Sequence, residues 1–325
     1  MRRIKYPQEI DEEYLKLFSG CIERKNKKWE KWRDNVIDSD LTASNVFPEK
    51  FKDVLIAPVE SLVLMFVYYY DHRDNIHIRN TQKELKSIFN YNDWQPEIAN
   101  FFMQYAKDLE VHTCFYCETS YINKYKDKNS RNRNHFDLDH FLPKTLCPIV
   151  GLSIRNFIPS CAVCNEKLKR DKIPGISDTE MPISDKKDEI IKMCPSSDSY
   201  SFDMDVSIRI EPVKIEDFTR TLRLQDQPER YEIQFENTDD FSPYRNEIKM
   251  FHLEERYNYH KMEALRLYDL LNDYPPELVQ KISELFYGKK DVDEVKEDLF
   301  GLLFSQNQHR CFDKMKQDIA ILFKK

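Results

Sequence analysis

Two pairs of closely spaced cysteines constrain this chain more than any other feature of its sequence. Each pair has two residues between its cysteines, "CFYC" at 114–117 and "CAVC" at 161–164. Pairs with this spacing are typical of thiolate sites that hold a structural Zn²⁺ ion. One ion bound to both pairs would join the two ends of the 43-residue segment 118–160. We therefore predict a zinc-pinned module over residues 111–175, with four zinc ligands: Cys114, Cys117, Cys161 and Cys164.

The composition favours a globular, cytoplasmic protein whose cysteines stay reduced. The chain has 325 residues, of which 41% are hydrophobic and 33% charged. Its longest apolar run, "LVLMFVYYY" from Leu62 to Tyr70, is much shorter than the roughly 20 residues that span a bilayer, so we expect a buried helix there. The N-terminal residues show no signal-like pattern. The five glycines, and the absence of GxGxxG and GxxxxGK[ST] patterns, argue against a nucleotide-binding α/β fold.

Hydrophobic periodicity predicts a mainly helical α+β fold. Apolar residues recur at helical spacing in the first and last parts of the chain, whereas residues 200–235 alternate like short antiparallel strands. Thr81 followed by Glu84 matches a capping box and predicts a helix that begins at Thr81. The predicted division of the chain is a helical region (1–110), the zinc-pinned module (111–175), an irregular and β-containing insertion (176–245) and a second helical region (246–325).

Positive charge is concentrated around the cysteine pairs. Residues 112–175 contain 11 Lys and Arg against 6 Asp and Glu, a net charge of +5, so the remainder carries −12 within a total of −7. A basic segment in an acidic protein favours binding of a polyanion. The stretch "NKYKDKNSRNRNH" (123–135) is predicted to be a flexible basic loop, which either contacts phosphates or is simply solvated.

The stretch "FDLDHFLPK" (136–144) places polar residues among large apolar ones. A helix predicted to begin near Ser160 would carry the second cysteine pair on one side, with Asn165 about 100° further round. The amide oxygen of Asn165 and the carboxylate of Asp139 would suit a hard divalent cation, Mg²⁺ or Mn²⁺. His140, beside that ion, would suit the role of general base on a water molecule.

These motifs resemble, in order and spacing, those of the HNH family of ββα-metal endonucleases. The matching residues are "CFYC", "DHFLP", "NFIPS" and "CAVCNEKLK", and the match covers about 60 of the 325 residues. The resemblance implies that His140 is the general base and that Asp139 and Asn165 bind the catalytic ion. It implies that Asn156 braces the loop between strand and helix. Asn165 stands where the family also uses histidine, and an amide is a weaker ligand than an imidazole.

Further residues around the motifs have two interpretations each. Asp137 shares a face with Asp139 in an extended strand and is either a ligand or supporting carboxylate, or a structural or surface residue. Four basic residues would contact phosphates of a nucleic acid or form a solvated charged surface: Lys144, Lys167, Lys169 and Arg170.

The stretch from Phe136 to Asn165, with its helical surroundings, is similar to the PtuB-type HNH nucleases of Septu and retron anti-phage systems. This similarity implies a separately encoded ABC-type (PtuA-like) ATPase as partner. The predicted function is a metal-dependent endonuclease that hydrolyses phosphodiester bonds in nucleic acid, with DNA favoured, as the effector of an anti-phage system. Two alternatives stay open: an effector that cleaves RNA such as tRNA, and an inactive zinc-stabilised module that binds nucleic acid or protein.

Overall fold

The computed structural model describes residues 1–174, 176, 182–214, 223–237, 243–286, 289–301 and 310–321. Over these residues the chain is mainly helical with small two-stranded antiparallel sheets, which confirms the predicted α+β class. It divides into two compact units. The first comprises residues 2–116 and 122–201, and the second comprises Met1, 117–121 and 202–325. The predicted division into four regions stays a prediction.

Helices of the first unit pack around buried aromatic side chains. Trp29 and Trp32 are fully buried, and their rings stack with centroids 5.2 Å apart. Their indole N–H groups donate to the carbonyl of Pro48 and the hydroxyl of Thr81, both at 2.9 Å, so this burial leaves no donor unsatisfied. The helices of this unit are α1 (Ile10–Lys16), α2 (Ile22–Ser39), α3 (Phe51–Leu55), α4 (Val59–Asp71), α5 (Ile76–Ile88), α6 (Gln95–Gln104) and α7 (Lys187–Met193).

Two of these helices test predictions from local sequence. Helix α4 contains the long apolar run and is largely buried, as predicted. Across the part of the chain that the structure describes, no helix combines the length and apolarity needed to cross a membrane. The predicted helix start at Thr81 is wrong, because α5 begins at Ile76, where the side chain of Asn75 accepts the N–H of His77 at 2.9 Å. Asn75 is a favourable N-cap residue that precedes Thr81 in the chain, so the helix begins there and not at the capping-box pattern.

Two antiparallel hairpins lie in the central part of the first unit. The first pairs β1 (Lys124–Lys126) with β2 (Asn132–Asn134), so the segment predicted as a flexible loop is a hairpin. The second pairs β3 (Asp137–His140) with β4 (Phe157–Ser160), and β4 is buried along its whole length. The strand predicted through "FDLDH" is therefore present.

A π-helix follows β4 and carries the second half of the motif. It spans Val163–Lys169, and the N–H of Arg170 donates to the carbonyl of Asn165 at 2.9 Å, an i to i+5 bond. The predicted helix start near Ser160 is therefore displaced. Ser160 instead pairs with Asp137 at the end of the β3–β4 sheet.

The second unit contains the small antiparallel sheet that alternation predicted. Strands β5 (Val206–Pro212) and β6 (Tyr231–Asn237) pair with Ile208 opposite Phe235. Of the alternating stretch "TLRLQ", the first two residues lie outside the described residues, and Leu224–Asp226 form a 3₁₀ turn. The helices of this unit are α8 (Phe202–Asp205), α9 (Tyr244–Met250), α10 (Leu253–Tyr259), α11 (Met262–Asp273), α12 (Pro276–Leu285), α13 (Val292–Phe300) and α14 (Asp313–Ile321).

Candidate metal centre and active site

The two cysteine pairs come together in the folded chain. The Sγ atoms of Cys114, Cys117, Cys161 and Cys164 all lie within 4.8 Å of one another. Tetrahedral zinc with Zn–S bonds of about 2.3 Å would hold its four sulfurs roughly 3.8 Å apart, so the cluster fits such an ion with small adjustments. The cluster can therefore hold a metal ion such as zinc. Four thiolate ligands would leave no open position for a substrate, which is the character of a structural site.

Polar groups around Cys117 support a negatively charged sulfur. The guanidinium Nη2 of Arg256 and the hydroxyl of Thr119 each donate to its Sγ at 3.2 Å. The hydroxyl of Tyr257 donates to the Cys117 carbonyl at 2.9 Å. Hydrogen bonds from such outer groups orient metal ligands and tune their charge. The sequence gives no local signal for Arg256 or Tyr257, because both are far from the cysteines along the chain.

We expect metal analysis of the purified protein to find about one zinc ion per chain. Cys161→Ser should lose both the zinc and the cooperative unfolding transition of the folded protein. The reason is that the free energy of zinc binding also stabilises the fold. Cys147→Ser is the matched control, since Cys147 is buried but outside the cluster, and it should keep the zinc. Equal zinc content in the wild type and in Cys161→Ser would contradict the four-cysteine site.

A hydrogen bond fixes the orientation of the His140 ring. Its Nε2 lies 3.0 Å from the carbonyl oxygen of Gly151. A carbonyl only accepts, so this geometry assigns the proton of the neutral imidazole to Nε2 and leaves the lone pair on Nδ1. The rings of Tyr91 and Phe157 pack edge-on against the imidazole, with centroids 4.7 and 4.8 Å away. The ring is therefore held in one orientation with Nδ1 as its basic atom.

The surroundings of His140 also favour its neutral form. Burial, and next the charge of Lys144, hold the pKa of His140 well below its ordinary value. The ammonium of Lys144 lies 3.5 Å from Nδ1 and 5.0 Å from the centroid of the Tyr91 ring. Burial lowers the pKa of Lys144 as well. At neutral pH the imidazole is thus uncharged and able to accept a proton, as a general base must be.

Asp139 forms a buried ion pair with Lys169. The Lys169 ammonium lies 3.1 Å from each carboxylate oxygen, and the hydroxyl of Tyr116 donates to Oδ2 at 2.6 Å. Lys169 also donates to the backbone carbonyl of His140 at 2.7 Å. Burial raises the pKa of Asp139, while Lys169 and Tyr116 oppose that rise. Lys169, expected at a phosphate, is instead fully buried and faces Asp139.

Asp137 and Asn165 are hydrogen-bonded to each other in the wall of a pocket. The Nδ2 of Asn165 lies 3.3 Å from Oδ2 of Asp137, and both residues are half-buried. A 180° turn of the amide would present Oδ1 at the same place, so the pair can offer two oxygens to a hard cation. The pocket has a volume of about 390 Å³, and its polar lining includes Asp137, Asp139, His140, Lys144, Asn165 and Arg170.

Asn156 connects the loop after β3 to the chain that leads into β4. Its Oδ1 accepts the N–H of Leu142 at 2.7 Å, and its Nδ2 donates to the carbonyls of Leu142 and Val150 at 3.0 and 2.9 Å. Gly151, whose carbonyl orients His140, follows Val150 directly. Asn156 thus braces the backbone around the histidine without lining the pocket.

The four basic residues expected at phosphates divide into three groups, one of which is the buried Lys169. Lys144 and Arg170 line the pocket, and Lys167 is exposed on the π-helix. Sequence reasoning missed Tyr91 and Gly151 as partners of His140. It also missed Tyr116, although that residue lies between the first two cysteines.

Comparisons with protein-family models, with curated proteins and with solved structures find no match for this chain. Its likeness to HNH endonucleases therefore consists of the motif residues in the sequence. Those residues now have positions: His140, Asp139 and Asn165 line one pocket, and Asn156 lies behind it.

We expect Lys169→Met to lower the free energy of unfolding by about 3–5 kcal/mol, because Asp139 would stay buried without its counter-ion. The double variant Asp139→Asn/Lys169→Met removes both charges and should recover most of that loss. Urea denaturation followed by circular dichroism measures both. Lys167→Met, an exposed neighbour on the same helix, is the matched control and should change stability by less than about 0.5 kcal/mol. If the Lys169 and Lys167 variants are equally stable, the buried pair does not stabilise the fold.

Proposed function

We propose that this protein is a metal-dependent HNH-type endonuclease that hydrolyses phosphodiester bonds in nucleic acid, with DNA as the favoured substrate. The observation that carries the proposal is the hydrogen bond between His140 Nε2 and the Gly151 carbonyl, which leaves Nδ1 as a base. Oxygen ligands on the wall of the same pocket support it. The basic charge of residues 112–175 supports an anionic substrate.

In the proposed reaction, Nδ1 of His140 accepts a proton from a water molecule that attacks phosphorus. Asp139 and Asn165 are the proposed ligands of a Mg²⁺ or Mn²⁺ ion. Asp137 joins them, because its carboxylate lies against Asn165 whereas that of Asp139 already accepts from Lys169 and Tyr116. When bound, such an ion supplies charge stabilisation for the phosphoryl group and the leaving oxygen.

Basic side chains complete the proposed site. Lys144 and Arg170 line the pocket and would contact phosphate oxygens of the substrate, and Lys167 would contact the backbone farther out. The ammonium of Lys144 also disfavours protonation of His140 before the substrate binds. None of these contacts involves a sugar, so an RNA such as tRNA is the alternative substrate that the same chemistry accommodates.

We expect His140→Ala to lower the cleavage rate by about 10²–10⁴-fold while the fold and the zinc content stay intact. Because the pKa of His140 is lowered, the acid limb of the wild-type rate profile should lie below pH about 6.5, the ordinary value for histidine. The assay incubates the protein with plasmid DNA and with total tRNA, in Mg²⁺, Mn²⁺ or EDTA. His77→Ala, an exposed histidine on α5, is the matched control and should cleave normally.

The outcomes of this assay separate the alternatives. Cleavage of tRNA alone would assign the protein to RNA. If the folded, zinc-loaded wild type cuts neither substrate with any of the ions, the result favours the alternative of an inactive zinc-stabilised binding module. Normal cleavage by a folded His140→Ala variant would remove His140 from the role of base.

We further propose that the protein is the effector of an anti-phage system and binds an ABC-type (PtuA-like) ATPase encoded nearby. The resemblance to PtuB-type nucleases is the basis for this partner. The chain has no ATP-binding motif of its own, so nucleotide control would have to come from such a protein. The net charge of −12 outside residues 112–175 disfavours the DNA backbone and suits a protein surface.

Co-expression with the neighbouring ATPase and a tagged pull-down should yield a stable complex whose interface lies outside residues 112–175. Charge-reversal variants in the acidic remainder of the chain should weaken the complex, whereas Lys167→Glu inside the module should not. If no ATPase co-purifies and the protein alone is fully active and toxic, the regulated complex is ruled out.

A further inference from the structure

The hairpin of residues 123–135, here called the basic hairpin, is a ribbon that buries neither of its faces. Strands β1 and β2 pair with Lys124 opposite Asn134, Tyr125 opposite Arg133 and Lys126 opposite Asn132. All six of these residues are exposed. An isolated two-stranded hairpin is marginally stable in water. Because these side chains pack into no core, they are available to contact a ligand.

Asp127 holds the turn of the basic hairpin closed. Its Oδ1 accepts the backbone N–H groups of Asn129 and Arg131 at 2.8 and 3.0 Å, and its Oδ2 accepts from Nε of Arg133 at 3.2 Å. It is the one acidic residue in a segment with five Lys and Arg. The acid thus serves the shape of the turn, and the segment keeps a net charge of +4.

The base of the basic hairpin is attached beside the candidate active site. The ammonium of Lys124 donates to the carbonyl of Met103 at 2.9 Å, and Nδ2 of Asn134 donates to the carbonyl of Phe136 at 2.8 Å. Asn134 and Phe136 both line the pocket that contains His140. Along the ribbon, Ser130 in the turn lies four residues from Asn134, a span of roughly 13 Å at about 3.3 Å per residue. This span is about the rise of four base pairs.

We propose that the basic hairpin binds the backbone of the nucleic acid next to the bond that is cut. Lys126, Lys128 and Arg131 are exposed and would contact successive phosphates. The inference rests on the proposed function, because it takes nucleic acid as the ligand, and it names the surface that positions the strand.

The test measures binding without cleavage. A short DNA duplex and tRNA are titrated by fluorescence anisotropy with the His140→Ala protein in EDTA, over a series of salt concentrations. The hairpin variant adds Lys126→Ala, Lys128→Ala and Arg131→Ala. The matched control adds Lys27→Ala, Lys28→Ala and Lys31→Ala, which removes the same charge from exposed lysines of α2. Zinc content and circular dichroism check that each variant is folded.

We expect the hairpin variant to weaken binding roughly tenfold or more and to reduce the slope of log K against log salt by about 2–3, since each phosphate contact contributes about 0.9. The control should change binding about twofold or less. A loss on the duplex alone assigns the surface to DNA, and a loss on tRNA alone assigns it to RNA. If the two triple variants weaken binding equally, the basic hairpin is not the binding surface. The proposed nuclease function would be unaffected by that result. A parent protein that binds neither probe would overturn the proposed function as well.

Discussion

The four thiols of Cys114, Cys117, Cys161 and Cys164 set the geometry on which the rest of the candidate site depends. The four sulfurs lie within 4.8 Å of one another, so a zinc ion bound between them would offset the repulsion of four thiolates and hold the two cysteine pairs together. The segment that they enclose has an exposed part and a buried part: β1 and β2 are exposed, whereas β4, which pairs with β3, is buried along its whole length. A metal ion bound to the four sulfurs would fix both ends of this segment and so add to the constraint that β4 places on β3.

The chain that leaves Cys161 links the cysteine cluster to the candidate active site. The N–H of Asn165 donates to the Cys161 carbonyl at 3.0 Å, and the π-helix continues from there to Lys169. Lys169 then binds both the side chain of Asp139 and the backbone carbonyl of His140. The histidine is thus fixed through its backbone by Lys169 and through its ring by Gly151. Loss of either charged partner, Lys169 or Asp139, would leave the other as an uncompensated buried charge, so the pair holds these groups in place.

Local patterns predicted what local forces decide. The spacing within each cysteine pair predicted the four-cysteine cluster, because ligand chemistry acts over a few residues. Hydrophobic periodicity, which is also local, predicted the strand through Asp139 and the apolar helix α4. The start of α5 was not predicted, because Asn75 competes with Thr81 as a cap. The burial of Lys169 and the contact of Arg256 with Cys117 could not be predicted, because residues distant in sequence decide which charges become buried.

The carbonyl of Gly151 has a consequence for how the proposed base would be regenerated. Gly151 packs at van der Waals distance against other parts of the chain, since a Cβ there would lie 3.4 Å from Lys144 Cβ and 3.5 Å from the Phe89 carbonyl oxygen. The Gly151 carbonyl occupies Nε2, and because a carbonyl does not take up a proton at neutral pH, Nε2 would not release one there during the proposed reaction. In the proposed reaction, a proton taken up at Nδ1 would also leave from Nδ1, into the pocket that His140 lines. The proposed product and the proton held by the base would then share one exit, this pocket.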